Sequence, residues 1–152
     1  MKKRSAILLQ TVIVLLGAAA LAFLLWEPHL EGRNAQATLF EIYFKDPFLA
    51  YAYIASIPFF AALWQAFKIL GYARQDKLLP EMTVKALRII KYCAIAIIVF
   101  VAGGEIFIIL SDSDDRAGGV VMGLLIAFGA TLVAAAAARV ERLVRNGANG
   151  AK

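Results

Sequence analysis

Four long apolar stretches decide what this chain can become. They run approximately from Ala6 to Trp26, Pro47 to Leu70, Tyr92 to Leu110 and Gly118 to Ala138. Each is close to the roughly 20 residues that a helix needs to cross a hydrocarbon core of about 30 Å. No water reaches the backbone inside that core, so each segment must satisfy its own N–H and C=O groups, which a helix does. A hydrophobic share of 62% and a mean hydropathy of +0.75 lie well beyond the range of soluble domains. The expected fold is an all-α integral membrane protein with four transmembrane helices in an up-down bundle. It forms one domain over residues 1–152, with residues 139–152 as a helical extension and flexible tail.

Lys2, Lys3 and Arg4 before the first apolar run resemble the start of a signal peptide. A secretory apolar region is only about 7 to 15 residues long and ends at small residues, whereas this one continues through LAFLLW, so a retained helix is expected. The net charge of +5 is segregated by connection. The N-terminus, the connection after the second span and the C-terminal tail hold 13 of the 16 Lys and Arg residues, while the other two connections carry Arg33, Lys45 and Arg116 among seven acids. Cytoplasmic segments retain Lys and Arg, so both termini and the middle connection are expected in the cytoplasm, with the chain as a multi-pass membrane protein. The basic excess therefore reads as topology and contact with anionic lipid, and direct nucleic acid binding is not expected.

The connections carry their own signals. Thr38 and Glu41 have the spacing of a capping box, and Phe40, Tyr43 and Phe44 share a face, which predicts a short amphipathic helix on the outer interface with Glu41 able to pair with Lys45. Asp46 is placed to cap the second span, with Pro47 in its first turn. Trp26, Tyr43 and Tyr51 are expected in an outer aromatic belt, and Trp64, Tyr72 and Tyr92 at the inner boundary. Pro58 should kink the second span, and Ser56 and Gln65 should face protein; Lys68 can snorkel at the cytoplasmic end. In the middle connection Pro80 breaks the chain and Thr83 is placed to cap a helix that runs into the third span. Lys85, Arg88 and Lys91 then form a basic stripe, either an anchored helix end or a docking surface for a cytoplasmic partner or lipid.

The fourth span repeats small residues at every fourth position, Gly119, Gly123, Ala127, Thr131 and Ala135, a face for close helix approach within the chain or in a homo-oligomer. Motifs for hydrolysis, phosphate binding or dinucleotide binding are missing, so the expectation is a non-enzymatic protein without cofactor or metal. Cys93 reads as a small buried hydrophobe or a reactive thiol. His29 with Glu27 and Glu31 is a weak metal set, and Asp112, Asp114 and Asp115 read as a solvated turn that caps the fourth helix. Glu105 sits five residues before the outer end of its span, a depth of roughly 7 to 8 Å. A charge in mid-membrane costs about 2.5 to 3.5 kcal/mol, so Glu105 should face the bundle, reach water or bind a proton or cation, with Gly103 and Gly104 leaving room for another helix or water.

The strings IPFFAALWQAFKILGY (57–72) and TVKALRIIKYCAI (83–95), with SDSDDRAGG after them, resemble the bacterial DUF2975 family of small four-span membrane proteins of unknown function. The likeness covers about residues 5–145; Arg116 and Ala117 after the acidic turn and the RNGANGAK tail depart from the family's proline and acidic tail. The resemblance implies a four-helix protein of the bacterial inner membrane and supplies no reaction. Some similar proteins are encoded beside a small helix-turn-helix regulator, which implies a cytoplasmic regulatory protein as a partner. The matching positions Gln65, Lys68, Tyr72, Lys85, Arg88, Lys91 and Tyr92 all fall near the cytoplasmic boundary. The rival expectation is a small oligomeric transporter or channel that uses Glu105.

Overall fold

The computed structural model describes residues 3–30, 38–41, 47–111 and 116–150, without the side chains of 27–30. The Glu27, His29 and Glu31 set, Tyr43, Phe44, Lys45, the Asp46 cap and the turn of Asp112, Asp114 and Asp115 lie outside the described residues or side chains. Among the described residues four long helices make up the fold: α1 (Lys3–Leu30), α2 (Pro47–Arg74), α3 (Pro80–Leu110) and α4 (Arg116–Gly150). All are long and apolar enough to cross a membrane, as the sequence predicts. With 31 and 35 residues, α3 and α4 are about 46 and 52 Å long and overrun the hydrocarbon core.

Two boundaries differ from expectation. Leu79, extended at φ −88° and ψ 139°, precedes α3, and Pro80 opens the helix where its missing N–H costs nothing. Thr83 is therefore already inside the first turn, its buried hydroxyl donating to the Leu79 carbonyl at 3.0 Å. At the other end of the chain, α4 continues as helix to Gly150 instead of ending as a flexible tail. No proline interrupts RNGANG, and an interior glycine weakens a helix by only about 1 kcal/mol.

Each helix packs chiefly on its chain neighbours, α1 on α2, α2 on α3 and α3 on α4, all antiparallel. Gln10 meets Phe67 and Tyr53 meets Leu24 across α1 and α2, Tyr51 meets Phe100 across α2 and α3, and Arg88 meets Glu141 across α3 and α4. Two tyrosines explain why α2 lies between α1 and α3. Positions two apart on a helix point to nearly opposite sides. Tyr53 Oη donates to the Leu24 carbonyl at 3.0 Å, and Tyr51 Oη donates to the Phe100 carbonyl at 2.7 Å. Tyr51 is thus not part of an outer belt but a hook into the neighbouring helix, its ring edge-on to Phe100 at 5.7 Å. Trp26 and Tyr92 do remain outward, 68% and 60% exposed.

Two expected details also resolve. Helix α2 is continuous through Pro58, and Ser56 Oγ donates to the Tyr53 carbonyl of its own helix at 2.7 Å instead of reaching across. The capping box forms, with the Thr38 N–H on Glu41 Oε2 at 3.1 Å and the Glu41 N–H on Thr38 Oγ1 at 3.3 Å.

Helix α2 ends in a Schellman closure. The Lys77 N–H donates to the Tyr72 carbonyl at 3.0 Å and the Asp76 N–H to that of Ala73 at 3.3 Å, with Asp76 in the left-handed region at φ 55°. Aspartate takes this role less readily than glycine but better than most residues.

Candidate functional site

The α3–α4 contact organises both candidate sites. Among the covered positions of α4, Gly123, Ala127, Ala130, Ala134, Ala137 and Glu141 fall alternately four and three residues apart. That is a heptad seam, which keeps to one side of a helix. A strict four-residue repeat drifts by about 40° at each step. Gly119, Gly123 and Ala127 therefore lie on the packed side, while Thr131 and Ala135 have turned outward and are exposed. The small-residue stripe splits between an internal face and an external one.

At the basic end of this seam Arg88 and Lys91, one turn apart on α3, converge on Glu141. Arg88 Nε donates to Glu141 Oε1 at 3.0 Å, and Lys91 Nζ donates to Oε2 at 2.8 Å. The Glu141 side chain is 7% exposed, that of Lys91 24% and that of Arg88 50%. Each carboxylate oxygen has its own cation, and the Arg88 side chain stays half exposed. Glu141 lies beyond the apolar stretch that ends at Ala138, and the Lys91 and Arg88 hydrogen bonds hold its carboxyl below the usual carboxylate range. Lys91 Nζ also stands 5.2 Å from the Tyr92 ring centroid, a cation–π distance.

Sequence reasoning found the stripe but missed its organiser. Glu141 is the lone acid in residues 116–152, set among Arg139, Arg142 and Arg145, and it falls in phase with Ala130, Ala134 and Ala137. A single acid in the packed phase of a basic tail was the available signal. Of the remaining positions, Lys85 is exposed one turn before Arg88. Gln65, Lys68 and Tyr72 lie on α2; the register that joins Tyr51 to Phe100 and Phe48 to Phe107 sets Gln65 level with Arg88. Gln65 and Lys68 are half-buried there and Tyr72 is at the edge of exposure. The structure joins Arg88 and Lys91 on Glu141, sets the outward Tyr92 ring beside Lys91, and places the other four at the same end without linking them.

Glu105 belongs to the opposite end of the seam. Its carboxylate rests on Gly123, where a Cβ would overlap it, and one turn away Ile108 fills the space that a Gly119 side chain would take. Both carboxylate oxygens are shut off from solvent, with no hydrogen-bond donor among the described residues. Gly103 and Gly104 do not open space for water: they receive the Tyr51 ring of α2. Gln65, level with Arg88, is about 25 Å away along α3 and offers Glu105 nothing. Cys93 is free and half-buried.

The family described as "Protein of unknown function (DUF2975)" matches residues 10–151, nearly the whole chain and both ends of the α3–α4 seam. The chain belongs to the DUF2975 family. Within it, "Uncharacterized membrane protein YoaS" of Bacillus subtilis (strain 168) is 35% identical over 147 residues, covering 95% of this chain and 92% of the relative. No solved structure matches. Membership of DUF2975 and a membrane-protein relative agree with four spans and specify no reaction.

Proposed function

We propose that this protein is a non-enzymatic accessory protein of the bacterial inner membrane, with its basic, termini-bearing end in the cytoplasm, where it docks an acidic surface of a regulatory protein. One observation carries the reading. Glu141 fixes Arg88 and Lys91 in place while leaving the Arg88 side chain half exposed, one turn from the exposed Lys85. A cation held by a buried carboxylate is already ordered, so a partner's acid meets it at a smaller entropic cost. Arg139, Arg142 and Arg145 on α4 extend the positive field that would steer such a partner.

The test is crosslinking with mass spectrometry in native membranes, comparing the natural chain with Lys85→Glu and Arg142→Glu. Neither of these substitutions touches the Glu141 pair, so the fold is retained. The crosslinked partner should be lost from the double variant and weakened by raised salt. An undiminished crosslink would overturn the proposal.

A second reading, transport by an oligomer, draws on the sealed, donorless Glu105 carboxylate. Intramembrane acids are functional candidates by default. It predicts proton- or cation-driven flux in proteoliposomes that Glu105→Gln abolishes; no flux under either gradient would sink it.

A further inference from the structure

A shallow groove runs between α1 and α2 at the basic end of the molecule, away from the α3–α4 seam. Ile7, Val14 and Leu15 of α1 and Phe67 of α2 make its apolar walls, Thr11 lines it with its hydroxyl bonded back to the Ile7 carbonyl at 3.0 Å, Gln10 lies at its base, and Arg74 stands at its mouth. The groove exists because Gln10 ties the two helices from within. Its Nε2 donates to the Phe67 carbonyl at 3.2 Å, and it packs at Gly71, where an added Cβ would lie 3.3 Å from that nitrogen. A side chain at position 71 would press on the Gln10 amide and disturb its bond to Phe67. The pairing of Gln10 with Phe67 also fixes the register: Lys3, the first residue of α1, lies level with Arg74. Lys3, one turn before Ile7 on the same side of α1, therefore stands at the same end of the groove as Arg74, and both are exposed.

We infer that this groove is a binding site for one anionic phospholipid of the leaflet at the basic end, with an acyl chain along Ile7, Val14 and Leu15 and the headgroup phosphate on Arg74 and Lys3. The chemistry fits in both parts. The lining on α1 runs over about two turns, and its one hydroxyl, that of Thr11, is already bonded to the Ile7 carbonyl, so a chain laid there displaces no polar contact. The guanidinium presents paired N–H donors matched to phosphate oxygens, and the lysine adds a point charge. Arg74 also lies in the last turn of α2, where a cation is favoured by the helix dipole. That role needs no groove beneath it, and the groove is what distinguishes a held lipid from a diffuse basic surface.

The experiment uses the purified full chain in detergent, stripped of lipid, offered equal amounts of phosphatidylglycerol and phosphatidylethanolamine and read by native mass spectrometry. The natural chain should retain phosphatidylglycerol preferentially. Arg74→Gln should lower that retention about fivefold, the factor for one basic contact with an anionic headgroup. Val14→Trp, which fills the groove and leaves both cations in place, should lower it similarly, while Arg145→Glu, a charge change on the far helix, should leave it unchanged. Equal retention of the two lipids would overturn the inference. So would loss with Arg145→Glu as large as with Arg74→Gln, the signature of diffuse charge, or full retention by a folded Val14→Trp protein.

Discussion

The contact between Tyr51 and Gly103 predicts a substitution whose effect reverses sign with its background. A methyl group added at Gly103 would overlap the Tyr51 hydroxyl, which is bonded to the Phe100 carbonyl at 2.7 Å. Gly103→Ala should gain up to about 1 kcal/mol of helix propensity. Against that, the rigid phenol must shift, losing a hydrogen bond of about 1 kcal/mol and incurring about 1 to 3 kcal/mol of overpacking. The net expectation is destabilisation by about 1 to 3 kcal/mol. Tyr51→Phe alone removes the hydrogen bond and should cost about 0.6 to 1 kcal/mol. It also removes the obstructing oxygen, after which the nearest ring atom to an alanine Cβ is Cζ at 3.5 Å, an ordinary contact. In the Phe background, then, Gly103→Ala should be neutral or stabilising by up to about 1 kcal/mol. The coupling between the two sites would be about 2 to 4 kcal/mol, measurable by a double-mutant cycle of reversible unfolding in mixed micelles. If Gly103→Ala destabilises equally in both backgrounds, the hydroxyl is not what excludes a side chain there.

Three further outcomes follow from the same structure. Glu141 has a lowered folded-state pKa, so its stabilising contribution is fully present above the unfolded value of about 4.3 and is lost as pH falls through the folded value. Melting temperature should drop below about pH 4, and Glu141→Gln should flatten that step; an unchanged acid limb would refute the linkage. Asp76 closes α2 at φ 55°, so Asp76→Gly should be neutral or stabilising, whereas Asp76→Val should destabilise by about 1 to 2 kcal/mol in the same unfolding assay. Glu105→Met should stabilise the folded chain, by up to about 3 kcal/mol, because it replaces a sealed, unsatisfied polar group with an apolar one of similar length. Destabilisation by that change would mean that the carboxylate has a partner that holds the fold.

The four spans were legible because hydropathy over a 20-residue window depends on composition alone, and the capping box because its partners are three residues apart. The site was legible only where its logic stays on one helix. Lys85, Arg88 and Lys91 could be recognised as a stripe because their spacing is helical; Glu141, fifty residues beyond Lys91, could not be joined to them without the register of α3 on α4. Tyr51 was read as an interfacial aromatic because its position near the end of a span is visible, whereas its direction depends on which side of α2 receives α3. The glycine and alanine stripe misled for a related reason. A repeat of four is conspicuous in the text, but the packed seam follows 3.5 residues per period, and Ala130, Ala134 and Ala137 carry it without any distinctive residue.

That seam holds two carboxylates about 27 Å apart, Glu141 in the packed row of α4 and Glu105 against Gly123 of the same row. They are compensated differently. Glu141 lies past the apolar stretch, where two cations reach it and one stays half open to solvent, so ion pairing there offsets the desolvation of its carboxylate and locks the helices. Glu105 lies where pairing would need a second ionisable group inside the membrane, and the described residues supply none. Packing alone does not require an acid against Gly123, since a methionine would fill the same space. The α3–α4 pair is therefore held together at its basic end by charge and carries at its other end a polar group that contributes nothing to holding it, which is why Glu105 and not Glu141 is the residue on which a transport assay should be run.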